Sequence, residues 1–115
     1  MKLTLSALTL GLASLSAHAQ TEIQWWHSMG GALGEWVNDL AKDFNSTQTE
    51  YKIVPTFKGS YDESMTAAIA AFRAGNAPHI LQVFEVGTAT MMASKGAIVP
   101  AAKVLNDGGF KFEPT

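Results

Sequence analysis

The chain has 115 residues, no cysteine, a net charge of −2 and 47% hydrophobic residues at a mean hydropathy of +0.08. That fits a globular chain of one small domain, or part of a larger one, and excludes disulfide staples, cysteine-ligated zinc, iron–sulfur clusters and thiol nucleophiles. With no basic run it also excludes polyanion binding, although a few buried donors can still hold one small anion.

Residues 1–19 read as a removable leader. Met1-Lys2 is a short positive start, Leu3 to Leu15 is a stretch of Leu, Ala, Ser, Thr and Gly, and Ala17-His18-Ala19 closes it. This is the pattern of a secretory signal peptide cleaved after Ala19. The apolar stretch is shorter than the roughly 20 residues that cross a bilayer. No cysteine follows the cleavage site to carry a lipid, so the sequence predicts a soluble exported protein in the periplasm. Losing Lys2 leaves seven of the eight basic residues against ten acidic ones, a net charge of −3 for residues 20–115.

Beyond the leader, strands and helices alternate. Glu22 to His27 reads as a strand, with Ile23 and Trp25 on one side and Gln24 and Trp26 on the other. Gly30-Gly31 breaks it. From Ala32 to Asn45, Leu33, Trp36, Val37, Leu40, Ala41 and Phe44 recur at helical spacing and predict one apolar face, with Trp36 in the core. Tyr51 to Phe57 is strand-like, but Pro55 cannot donate to a ladder, which places this strand near an edge. Ser60-Tyr61-Asp62-Glu63 is a capping box opening a helix that carries Met65, Ala68, Ile69 and Phe72 on one face. That helix should end at Gly75-Asn76, with Pro78 beyond. Ile80 to Phe84 reads as a short strand covered on both faces. Thr88 to Ser94, stopped by Gly96, and Ala101 to Asn106, before Gly108-Gly109, read as further short helices.

The order β-α-β-α-β-α predicts an α/β fold with a mainly parallel sheet and right-handed crossovers. Three strands make a poor free-standing sheet, so residues 20–115 are expected to be the N-terminal fragment of a longer protein.

Catalytic and metal motifs are weak. Met29 to Gly34 lies where a dinucleotide fingerprint would, but Met29 occupies the first glycine position, and no Walker-type Gly-Lys-Ser/Thr follows. His27 and His79 stand 52 positions apart without carboxylates at ligand spacing. Ser28 beside His27 is no triad, and no Gly-x-Ser-x-Gly elbow is present. The expectation is therefore a protein without enzymatic activity, cofactor or metal. Of Trp25 and Trp26, one should be core and the other can line a cleft. Met91-Met92 reads as packing.

Glu85 and Tyr61 are the candidate ligand-binding residues. Glu85 follows the third strand, and ligands of open parallel sheets bind just beyond the carboxyl ends of the strands. Position alone favours a solvated loop glutamate. Tyr61 opens the helix after the second strand, on that same edge of the sheet, where a phenol can reach a ligand or pack on the surface.

Four segments carry a family resemblance: Trp26-His27-Ser28-Met29; Tyr51 to Thr56 with Lys58-Gly59; Ala70-Ala71-Phe72-Arg73 with Gly75-Asn76-Ala77-Pro78; and Gln82 to Ser94. The chain resembles the periplasmic glycerol-3-phosphate-binding proteins of ABC transporters, within the extracellular solute-binding family that includes maltose-binding protein. Its Gly96-Ala97-Ile98-Val99-Pro100 turn departs locally from them. The resemblance implies a two-lobed, periplasmic-binding-protein-like fold, of which residues 20–115 form the N-terminal part of the first lobe. It implies Tyr61 and Glu85 as contacts to sn-glycerol-3-phosphate, with glycerophosphodiesters as further ligands. It also implies a monomer that delivers its ligand to a membrane permease, neither inserted in the membrane nor bound to nucleic acid. The alternatives are a carbohydrate-binding relative of the same fold and an exported hydrolase.

Overall fold

The computed structural model describes residues 19–111. Apart from Ala19, the leader expected over residues 1–19 lies outside the described residues. The elements are β1 (Thr21–His27), α1 (Gly31–Thr47), β2 (Tyr51–Phe57), α2 (Tyr61–Arg73), β3 (Ile80–Leu81), a 3-10 turn (Glu85–Gly87), α3 (Thr88–Ala93) and α4 (Ala101–Asp107). The expected alternation of strand and helix is observed.

The three strands form a parallel sheet in the order β2-β1-β3. β1 pairs with β2 along its whole length, from Thr21 opposite Tyr51 to His27 opposite Phe57. Pro55 is harmless in this register. Ile53, two residues earlier on the same side of the strand, gives its N–H and C=O to the Asn45 side chain at 2.7 and 2.9 Å, away from β1. The missing N–H of Pro55 therefore faces the open edge, and no ladder bond is lost. Asn45 in turn shields part of that edge.

β3 corrects the reading of Ile80 to Phe84. Only Ile80 and Leu81 pair, with Trp25 and Trp26. The Gln82 N–H still reaches the Trp26 carbonyl at 2.9 Å. A continuing parallel ladder would then give the Ser28 N–H to the Gln82 backbone carbonyl, but the Gln82 side-chain oxygen takes it at 3.0 Å. At the other end, His79 Nδ1 accepts the Gln24 N–H at 3.0 Å. Side chains thus satisfy β1 at both ends of a two-residue strand. Nor is β3 covered on both faces, because Ile80 is 43% exposed.

β2 lies on one side of β1 and β3 on the other, so the two crossovers run in opposite directions. Right-handed connections then place α1 and α2 on opposite faces of the sheet. α1 buries Val37 and Ala41, and α2 buries Ser64 and Ala68. The α1 stripe is narrower than its periodicity implies: Trp36 is 60% exposed, and Leu33, Leu40 and Phe44 are also exposed. The expectation of Trp36 in the core is overturned. Helical spacing shows which side of a helix is apolar, and the sheet beneath α1, chiefly β2, covers only the middle of that side. Phe72 at the end of α2 is likewise exposed.

The local signals at α2 hold. The Ser60 hydroxyl accepts the Glu63 N–H, and the Glu63 carboxylate accepts the Ser60 N–H at 2.7 Å. That hydrogen bonding holds the Glu63 carboxyl below the usual carboxylate range. At the other end, Gly75 adopts φ +75°, and the Asn76 N–H bonds the Ala71 carbonyl while the Gly75 N–H bonds that of Phe72. This is a Schellman stop. Removing the cap should show locally: Ser60→Ala is expected to cost the first turn about 1 kcal/mol, or roughly fivefold faster exchange of the Glu63 amide. Hydrogen exchange followed by NMR checks it, with the amides of α1 as the unchanged control.

Candidate functional site

The reversal of strand order at β1 makes the carboxyl ends of β1 and β3 the switch point, the place where open parallel sheets take ligands. Three connections meet there: Ser28 to Gly30 after β1, Lys58 to Ser60 after β2, and Gln82 to Phe84 after β3. The first and third are joined by the Ser28–Gln82 bond, and the first and second by the Lys58 N–H on the His27 carbonyl at 2.9 Å.

Tyr61 and Glu85 both lie on this edge. The Tyr61 ring stacks on Phe84, centroids 5.1 Å apart at 28°, so Tyr61 is held beside the residue that precedes Glu85. Tyr61 is half-buried and Glu85 is exposed. The capping box fixes the start of α2 and hence Tyr61. The 3-10 turn that begins at Glu85 is fixed by Gly87, which is buried. A Cβ on Gly87 would press on the Met65 and Val83 side chains, so glycine lets this turn sit close against α2 without displacing them.

Both tryptophans of β1 are half-buried, so neither is wholly core. Trp25 points to the face that carries His27, with ring centroids 6.0 Å apart. Trp26 lies on the opposite face, with Lys58 Nζ 3.9 Å from the centre of its ring. Nothing in the sequence singled out Lys58. A lone lysine is silent until the register shows it one step past the end of β2, on the same side of the sheet as Trp26.

His27 is 3% exposed and lies between the rings of Trp25 and Phe57. Its Nδ1 accepts the Met29 N–H at 3.3 Å. Burial pushes its pKa below the usual histidine value. The hydroxyls of Ser28 and Ser64 are buried without a hydrogen-bond partner among the described residues. Among those residues no three histidine or acidic side chains converge to hold a metal.

A larger hollow lies between α2, β3 and α3, lined by Ile69, Phe72, Leu81, Met91 and Ile98 among others. Its walls are mainly apolar, whereas the connections after β2 and β3 carry the Lys58 ammonium, the Tyr61 phenol and the Glu85 carboxylate.

No family model matches the chain. Curated relatives match most of it. It is 56% identical over 114 residues to the sn-glycerol-3-phosphate-binding periplasmic protein UgpB of Brucella suis biovar 1 (strain 1330), which covers 96% of this chain and 26% of the relative. The protein of that name from Rhizobium meliloti (strain 1021) is 52% identical over 108 residues, 94% of this chain and 25% of the relative. The one from Escherichia coli O6:K15:H31 (strain 536 / UPEC) is 56% identical over 114 residues, 98% of this chain and 26% of the relative. The resemblance read from the sequence is borne out. The chain spans about a quarter of the length of these relatives.

The buried imidazole sets a pH dependence. A histidine whose folded pKa lies below its unfolded value takes up its proton more readily when unfolded. Its contribution to stability is complete above about pH 6.5 and is lost as pH falls from there toward the folded pKa. NMR titration should find the His27 midpoint below that of an unfolded histidine, and His27→Phe should flatten the stability profile in that window.

Proposed function

We propose, from the 52–58% identity to sn-glycerol-3-phosphate-binding periplasmic proteins, that residues 20–115 are the N-terminal part of the first lobe of a solute-binding protein. In this reading the protein works in the periplasm as a monomer. It captures sn-glycerol-3-phosphate, with glycerophosphodiesters as further ligands, and hands it to an ABC permease. Capture and release involve no covalent step. The observation that carries the reading is the stacked Tyr61–Phe84 pair, which brings Tyr61 and Glu85 to one switch-point edge in a chain with these relatives.

The ligand has an anionic end and a diol end. A carboxylate next to phosphate in a partly desolvated crevice is repelled, so Glu85 takes the hydroxyls, as a charged acceptor for their protons. The Tyr61 phenol is an uncharged donor and suits a phosphate oxygen. A hydrogen bond to a charged group contributes about 1.5–3 kcal/mol, or one to two decades of affinity.

Calorimetric titration of a full-length protein carrying this sequence tests the assignment. Glu85→Gln is expected to loosen glycerol-3-phosphate by about tenfold to a hundredfold while leaving inorganic phosphate level or tighter. Tyr61→Phe is expected to weaken both. Unchanged glycerol-3-phosphate affinity in Glu85→Gln would return Glu85 to an ordinary loop position. A carbohydrate in place of the phosphate ester would mark the related carbohydrate-binding function.

Export has its own test. Intact mass of periplasmic material should correspond to a chain beginning at Gln20, and a species retaining Met1-Lys2 would refute the leader.

A further inference from the structure

Lys58 differs from its neighbours in what holds it. Among the described residues, Lys52 lies within 4 Å of the Glu22 carboxylate and Lys103 within 4 Å of that of Asp107. Lys58 has no such carboxylate among the described residues. Its ammonium sits instead over the indole of Trp26, and its backbone is tied to β1 through the His27 carbonyl. The two modes of holding a cation differ in consequence. A carboxylate neutralises the ammonium it binds, whereas an aromatic face attracts it through the ring quadrupole and leaves the charge in place. The three N–H donors of an ammonium are also not consumed by a ring as they would be by oxygen acceptors.

The position matters as much as the charge. Lys58 leads into the β2–α2 connection, three residues before Tyr61. Glu85 follows β3, on the far side of β1. The Lys58 ammonium thus lies over Trp26 of β1, and the Glu85 carboxylate follows the neighbouring strand β3. An anion entering this field is drawn toward Lys58, and a group bearing hydroxyl donors toward Glu85.

We propose that Lys58 is the cationic contact for the anionic end of the ligand, and that Trp26 is the platform that positions its ammonium before the ligand arrives. This rests on the reading of the ligand as a phosphate ester and adds to it an orientation: phosphate toward Lys58, diol toward Glu85. The ring gives up the ammonium at little cost, since a cation–π contact at a partly exposed site is weak beside a charge-assisted bond to phosphate.

The test is calorimetry on a full-length protein carrying this sequence, with glycerol-3-phosphate and inorganic phosphate as the two probes. Lys58→Met keeps the aliphatic stem on Trp26 and removes the charge. It is expected to weaken both probes by roughly tenfold to a hundredfold. It should also flatten the gain in affinity as the phosphate passes its second ionisation near pH 6, and reduce the loss of affinity with added salt. Lys58→Arg should retain most of the binding and the pH profile, with thermal midpoints confirming that both variants are folded. A Lys58→Met protein that binds glycerol-3-phosphate as the unmodified protein does, with the same pH and salt dependence, overturns the inference and leaves the proposed ligand standing. If the unmodified protein binds no glycerol-3-phosphate, the proposed ligand itself fails, and the role of Lys58 falls with it.

Discussion

The central position of β1 is the constraint on which the rest of this structure depends. A strand with a neighbour on each side must have both rows of its backbone groups satisfied, because an unmet buried donor costs about as much as a lost hydrogen bond. β2 meets one row completely. β3 meets the other with two residues, and the shortfall is made up by the His79 ring and the Gln82 amide. By substituting a side chain for backbone at Ser28, the Gln82 bond frees the chain from Val83 onward to leave the sheet and carry Phe84 to Tyr61.

Topology follows from that position. With β2 and β3 on opposite sides of β1, right-handed crossovers separate α1 and α2 to the two faces and open the strand ends between them. The chemistry of the edge is then divided by strand: a cation after β2, hydrogen-bonding backbone after β1, a carboxylate after β3.

What was legible in the sequence was what short-range physics decides. The capping box at Ser60 and Glu63, the left-handed stop at Gly75 and the edge position implied by Pro55 each involve residues a few places apart, and each is observed. Tyr61 and Glu85 could be placed on one edge because parallel strands with crossovers bring every strand's carboxyl end to the same side. What escaped depends on partners distant in sequence. The apolar side of α1 was visible in its period, but how much of it would be covered was not, and Trp36 is exposed as a result. The length of β3 could not be read because the His79 and Gln82 side chains flanking it take over bonds to β1 residues 55 and 54 positions away. Lys58 became significant only once the register put it beside Trp26.

The exposed residues of α1 and the crevice also belong to one physical account. Leu33, Trp36, Leu40 and Phe44 line one side of a helix whose centre is already packed on the sheet, and Ile80 and Phe72 are open on the β3 side. Apolar surface left in water contributes nothing to stability, at about 25 cal/mol for each square ångström that could be buried. The curated relatives are about four times longer than this chain, and burial rises with chain length because surface grows more slowly than volume. The crevice is different in kind. Its polar groups are held by contacts within these residues: Tyr61 by Phe84 and the Ser60 cap, Lys58 by Trp26 and the β1 ladder, Glu85 by the turn that Gly87 permits. The arrangement of these edge residues is thus encoded locally, even where the apolar flanks of the sheet are left uncovered.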